Sequence, residues 1–390
     1  MTSIMDSGLR TQDSGLRTQD SGLRTQDSGL RTQDSGLRTQ DSGLRTNCAH
    51  IKFEEYEHEY LDEIFGIVNR YSQMAKTEKY FLNGMVRYLK PTKILEVGIA
   101  HGGGSAIILN AIKDLPSSRL ISVDYCEKFY GGNIDKLSGY LVDEQFAHLK
   151  DKWTVYRGGD ISRFIERIGG DIDLLVLDTA HIHPWETLNF LCILPFMKRD
   201  SWVVLHDVSL PYLPGREEDL ACRYLYGHVV SDAKIMPAPE ENSIPHFSNI
   251  GAFHVIDDTV KYAGNLFESL LCPWAAMSGV FDKKVFPNAT PILPRDLGDI
   301  RNIIGKYYPE YAAFFEHAIK YQHGIVEHKT AYYNFWRTTW ARNSLWTYKL
   351  FEFIESIPSR IKSFWKHVSP SSYKAVRRLK RKIRHHEDID

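Results

Sequence analysis

Lys93-Ile-Leu-Glu-Val-Gly-Ile-Ala-His-Gly-Gly-Gly-Ser105 is the stretch on which the fold turns. Lys93 to Gly98 reads as a short apolar strand, Ile99 to Gly104 as a glycine-rich loop, and Ser105-Ala-Ile-Ile-Leu-Asn-Ala-Ile112 as a helix. Strand, glycine loop and helix in that order let a ligand approach the backbone at the carboxyl end of a strand. The spacing is Gly98-x-x-x-Gly102, not Gly-x-Gly-x-x-Gly, which argues against a dinucleotide-binding dehydrogenase.

Upstream, Leu61, Ile64, Phe65, Val68 and Tyr71 recur at helical spacing, as do Phe81, Leu82, Met85, Val86 and Leu89, until Pro91 ends the run. Downstream, strands are expected at Arg119–Asp124, Trp153–Arg157, Ile172–Asp178, Ser201–Asp207 and Gly251–Ile256. Helix-length segments separate them at Leu137–Leu149, Ser162–Ile168 and Pro184–Met197, and another helix runs on through Leu271. Near-continuous apolar strands joined by helices predict an α/β fold, Rossmann-like and doubly wound, with a mostly parallel sheet and helices on both faces. Such sheets bind ligands at the carboxyl ends of their strands. The predicted strand ends are polar: Glu96 and the glycines, then Asp124, Asp178 and His206-Asp207. An acid ending the second strand can accept the hydroxyls of a ribose. Residues 208–249, with five prolines, are longer than an ordinary loop and are expected to form an acceptor lid.

Ile94–Ser105, Leu120–Asp124, Gly158–Ser162, Leu175–His181 and Val203–Asp207 together resemble class I S-adenosylmethionine-dependent methyltransferases. The subgroup most similar includes metal-dependent sugar O-methyltransferases and cephalosporin hydroxylase-like proteins. The resemblance covers about residues 90 to 260. It implies that Glu96, Gly98, Gly102, Gly103 and Ser105 embrace the methionine part of S-adenosylmethionine. Asp124 would hold the ribose hydroxyls, and Asp160 and Ser162 would lie by the adenine. It further implies that Asp178 and Asp207 ligate a metal, Mg2+ or Mn2+, and that His181 is the general base. His206 is included as a metal ligand, although relatives usually have an acid there; a histidine shifts the preference from Mg2+ toward Mn2+. His183, before Pro184 at a helix start, is expected to be structural.

The chemistry fits these residue types. A sugar hydroxyl is a poor nucleophile, and its attack on a sulfonium methyl improves if a base takes its proton or a cation polarises its oxygen. Histidine titrates near ~6.5, suited to that task at neutral pH. The expected function is therefore methylation of a sugar in a bacterial surface polysaccharide, with a saccharide or glycolipid as acceptor. A hydroxylase-like or other non-methyl-transfer enzyme on the same fold, or a non-catalytic assembly subunit, remain as alternatives.

The flanks read differently. Residues 6–46 repeat Asp-Ser-Gly-Leu-Arg-Thr-Gln almost six times. One leucine per unit is too few for a coiled-coil seam, and each unit carries a helix-weakening glycine, so residues 1–50 are expected to be a disordered tail. The codons GAC TCA GGA CTC AGG ACT CAG encode that heptapeptide and are GACTCAG written thrice. Such a tract could gain or lose units and switch expression, as in phase-variable genes. At the other end, Ser356 onward carries ten Lys/Arg against three Asp/Glu, within a chain of net charge -1. Residues 276–390 are expected to be a helical extension whose basic amphipathic tail can contact the anionic inner face of the cytoplasmic membrane. No nucleic-acid fold accompanies it. Residues 51–275 would form the methyltransferase domain. The five cysteines lack any Cys-x-x-Cys, and no apolar run reaches membrane-spanning length, so a cytoplasmic protein is expected, with a homo-oligomer left open.

Overall fold

Apolar strands of five or six residues can be buried along their whole length only inside a covered sheet, and that is where the chain puts them. The computed structural model describes residues 51–131, 135–213, 216, 219–239, 248–274 and 292–327. The heptapeptide repeat and the basic tail lie outside the described residues. In chain order the elements are α1 (Leu61–Tyr71), α2 (Lys76–Leu89), β1 (Lys93–Val97), α3 (Gly103–Ala111), β2 (Arg119–Asp124), α4 (Tyr140–Gln145), β3 (Trp153–Arg157), α5 (Ile165–Ile168) and β4 (Ile172–Leu177). They continue as α6 (Trp185–Ile193), β5 (Met197–His206), α7 (Ala221–His228), β6 (Lys234–Ile235), β7 (Ile250–Val255), α8 (Asp257–Lys261), α9 (Gly264–Ser269), α10 (Pro294–Tyr307) and α11 (Ala312–Glu327).

The seven strands form one sheet in the order β3-β2-β1-β4-β5-β7-β6. The first five are parallel, while β7 runs antiparallel to both β5 and β6. The order reverses between β1 and β4, which opens a ligand crevice at their carboxyl ends. Helices cover both faces. On one, Phe81, Leu82, Met85 and Val86 of α2 and Ile107 and Ile108 of α3 join a single apolar cluster with Ile94, Leu174 and Val204 of the sheet. On the other, Phe190 of α6 meets Phe253 of β7 edge-on at 5.4 Å, and the Tyr308 hydroxyl donates to the Leu191 carbonyl at 3.0 Å. One compact unit runs to Ala318, taking in α10; a second begins at Ile319. Among the described residues no helix is long and apolar enough to cross a membrane.

Three expectations are revised. β5 starts at Met197 rather than Ser201, because Met197 already pairs with Ile172 before the register shifts and resumes at Leu174 and Trp202. The helix expected over 137–149 is only α4, followed by 3-10 turns over Ala147–Lys152. The expected lid contains α7 and the edge strand β6, and β6 joins it to the sheet by pairing with β7.

One buried cation ties α2 to α3. Arg87, its side chain 5% exposed, donates to both oxygens of Glu59 (3.0 and 2.8 Å), both of Asp114 (2.6 and 3.3 Å) and the Ala111 carbonyl (2.7 Å). All five of its N–H donors are thereby used. Arg87→Met keeps the apolar stem and is expected to cost about 2 kcal/mol, since the freed acids can still reach water. Urea denaturation should show a lower midpoint at unchanged slope.

Candidate active site at the carboxyl ends of the strands

The glycine loop is gripped from both sides. Asp124, ending β2, accepts the N–H groups of Ile99 (3.0 Å) and Ala100 (3.1 Å) on Oδ2 and that of Cys126 (2.8 Å) on Oδ1. Across the loop, Gly139 and Leu141 donate their N–H groups to the carbonyls of Ala100 and His101 at 2.8 and 3.0 Å. The Ser138 side chain adds a further hydrogen bond, so Asp124 is engaged on both oxygens. Gly98 has φ +96°, and a Cβ there would stand 1.8 Å from the Asp178 carbonyl oxygen. Gly102, at φ +98°, backs onto Gly139 in the same manner, with a Cβ 3.0 Å from its Cα. Gly103 opens α3 against Ser72, leaving first-turn amides of that helix at the crevice.

Glu96 lies beneath the loop and points inward. Its Oε2 accepts the hydroxyls of Ser105 and Ser122, each at 2.6 Å, and Trp153 Nε1 donates to Ser122 Oγ at 2.8 Å. Glu96 and Ser105 are thus joined to each other, bolting the first turn of α3 to β1 and β2. Burial pushes the Glu96 carboxyl up to about 7 against the pull of the two serines. Asp160 caps the turn Ile161–Arg163 by accepting the Ser162 N–H at 2.9 Å, and both residues are buried beside the end of β3.

At the ends of β4 and β5, acids and imidazoles alternate. His206 places Nε2 3.0 Å from Glu78 Oε2, and Nδ1 3.2 Å from Asp178 Oδ1 and 3.3 Å from Asp207 Oδ2. His181 Nε2 lies 2.9 Å from the same Asp207 oxygen and 3.9 Å from Asp178 Oδ1. Its Nδ1 faces Glu186 Oε1 and Cys222 Sγ, each at 3.9 Å. Burial disfavours the imidazolium form of both histidines, yet the carboxylates prevail: His206 is raised well above its ordinary value and His181 to about 9. Burial would raise the Asp207 carboxyl, but His206 and His181 hold it well below the usual range.

Backbone geometry fixes these groups in place. Ala100, His181 and Asp207 all have positive φ, at 49°, 60° and 60°, a costly conformation for residues with a Cβ. Glu186, fully buried, holds the His181 turn by accepting the N–H of His181 and the hydroxyl of Thr179, both at 2.8 Å. Asn249 holds the Asp207 turn: its amide donates to Asp207 Oδ1 while its own oxygen accepts the Ser209 N–H at 2.9 Å.

Asp178, His181 and Asp207 present one ligand atom each, all within 4.8 Å of one another. That donor set suits a divalent cation. His206 lies beside that set, with Nδ1 toward Asp178 and Asp207 and Nε2 toward Glu78. A second grouping, His181 with Glu186 and Cys222, shares the imidazole. Burial raises the Cys222 thiol well above its ordinary value, so it remains protonated and a poor ligand. His183 is 2% exposed with its ring edge-on to Tyr224 at 4.9 Å, and burial lowers it to about 3, which keeps it neutral.

The sequence alone did not single out Glu78, Glu186 or Asn249. Only Glu78 carried a usable sign: it falls in register with Phe81, Leu82 and Met85 on the buried stripe of α2, where a lone acid needs a partner.

Residues 95–208 match a family model described as a methyltransferase domain, a span that runs from β1 to the turn after β5. No curated protein matches it. Among solved structures, the O-methyltransferase from Bacillus cereus in complex with SAH is 14% identical, covering 50% of this chain and 90% of that one, with a TM-score of 0.37. TomG of Streptomyces achromogenes, an O-methyltransferase involved in tomaymycin synthesis and bound to SAM, is 17% identical, covering 56% and 96%, with a TM-score of 0.38. A SAH-bound methyltransferase of Podospora anserina is 11% identical, covering 66% and 100%, with a TM-score of 0.39.

The buried Glu96 makes a pH prediction. Its folded-state value, about 7, lies above the ordinary 4.5, so its contribution is full below pH 4.5 and is lost as pH rises through 7. Wild type is expected to lose roughly 3 kcal/mol relative to Glu96→Gln across that window. Urea unfolding of both proteins at pH 4.5, 6 and 8 measures it; parallel stabilities would contradict the assignment.

Proposed function

We propose that this chain is an S-adenosylmethionine-dependent O-methyltransferase whose acceptor is a sugar hydroxyl of a bacterial surface polysaccharide. The observation that carries the reading is the convergence of Asp178, His181 and Asp207 beside a glycine loop held by Asp124. The acceptor oxygen forms a bond to the sulfonium methyl, the sulfur–methyl bond breaks, and the hydroxyl proton leaves to a base. His181 Nε2 is the atom placed to receive it. Asp178 and Asp207 would hold a divalent cation, which would polarise the hydroxyl and offset the carboxylates that raise His181, leaving its Nε2 free to act as the base. His206, pinned by Glu78, balances those carboxylates from behind and keeps them turned toward the crevice. Glu186 sets the His181 turn without touching the acceptor.

Transfer of labelled methyl groups to a panel of surface glycans tests the reading. His181→Ala is expected to slow transfer by about 10²- to 10⁴-fold, and Asp178→Ala by a similar factor. Removing divalent ions with a chelator should abolish it, with recovery on adding Mn2+. Transfer that is indifferent to Asp178→Ala would remove the metal from the mechanism; absence of methyl transfer to every glycan would point to a different acceptor or reaction.

We further propose that residues 6–46 mark an expression switch built on a seven-base repeat. The coding sequence is expected to read GACTCAG in unbroken tandem, with unit number differing between clonal isolates. Codons that break the seven-base period would refute it.

A further inference from the structure

α10 lies beyond the residues that match the methyltransferase family, yet it walls part of the same crevice. It packs against the turn Ile161–Arg163 after β3 and against α6. Asp296, in its first turn, is 3% exposed; Oδ2 accepts the Tyr125 hydroxyl at 2.9 Å and Oδ1 faces Arg295 Nε at 3.2 Å. Tyr125 directly follows Asp124, so its backbone is fixed at the carboxyl end of β2. Its half-buried ring stands 5.8 Å from that of Trp185, tilted by 60°. Ile182 and Trp185 form an apolar cluster apart from the main core, with Tyr125, Ala180 and Ile292 packed against it.

These neighbours have the chemistry of a purine nucleoside site. The aromatic wall can stack on a base; Asp124, at the end of β2, is the acid a ribose would meet; and Asp160, beside the same turn that α10 covers, can accept from an exocyclic amine. Burial raises the Asp160 carboxyl, and the negative charge of Asp296 adds to that, which places the two acids within electrostatic reach. Burial and the Asp296 contact push the Tyr125 phenol up to about 12, so its hydroxyl stays a donor.

We propose that Asp296 is a positioning residue for the nucleoside half of the cofactor: by holding the Tyr125 hydroxyl it fixes the Tyr125–Trp185 wall beside Asp124 and Asp160, and α10 thereby completes the site. The inference rests on the S-adenosylmethionine reading above. It also accounts for a tyrosine and an aspartate 171 positions apart being buried as a pair.

Calorimetric binding of S-adenosylhomocysteine to the full chain tests it. Tyr125→Phe and Asp296→Ala should each weaken binding about fivefold, the size of one net hydrogen bond. The losses should not multiply in the double variant, because the Tyr125–Asp296 contact is common to both and Arg295, which meets both side chains, is exposed. Asp296→Asn keeps an acceptor oxygen and should stay within about twofold of wild type. Arg301→Ala, also on α10 but paired with Glu316, should bind normally. Unchanged affinity in Tyr125→Phe, or losses that multiply in the double variant, overturns the latch. Tyr125→Phe keeps the ring's shape and decides the matter if Asp296→Ala fails to fold. A wild-type chain that binds no S-adenosylhomocysteine overturns the cofactor reading and the latch with it; binding that is equal in every variant overturns the latch alone.

Discussion

Ionisable groups taken out of water must find opposite charge, and the ends of β4 and β5 are organised around that requirement. Glu78, His206, Asp207, His181 and Glu186 follow one another in alternating sign, with Asp178 facing both imidazoles. A single buried carboxylate among them would revert to its neutral acid, and an isolated imidazole would lose its proton. In series each fixes the next, and the neighbours hold His206 and His181 raised and Asp207 lowered against the effect of burial. The series also fastens separate parts of the fold together, since Glu78 belongs to α2, His206 to β5 and Glu186 to α6. Breaking it in the middle would leave charge buried without a partner, the costly failure for such networks. The site's chemistry and the anchoring of α2 therefore depend on the same contacts.

Much of this fold was legible in the sequence because strands buried on both faces advertise themselves. β4 and β7 are apolar nearly throughout and β1 and β2 alternate apolar runs with single polar residues, and the glycines after β1 sit where the backbone must turn left-handed or touch another loop. The acids ending β2, β4 and β5 were equally visible, since a polar residue closing an apolar run has few reasons to be there. What stayed hidden depends on pairing across the chain. β6 has two residues and no pattern; it exists only because β7 offers an edge. The Glu78 partner of His206 lies 128 positions away, so that contact had no local sign. Nothing local to Tyr125 announces Asp296.

Strain gathers in the same region. Ala100, His181 and Asp207 each hold a left-handed backbone that their side chains disfavour, and each is held by hydrogen bonds from another element: Asp124, Glu186 and Asn249 respectively. Strained residues of this kind persist only where the surroundings over-determine them. The polar groups around the crevice serve as a scaffold for its turns, and the candidate carboxylates and imidazole are carried on those turns.

The contact between Gly98 and the Asp178 carbonyl has a further consequence. With no space for even a methyl group between them, the loop after β1 and the loop after β4 form one continuous floor. Neither can swing away from the other without losing that backbone contact, so no door opens through the middle of the crevice. The acids that end β2 and β4 are therefore carried on one shared piece of backbone, and any side chain at Gly98 would force its two halves apart.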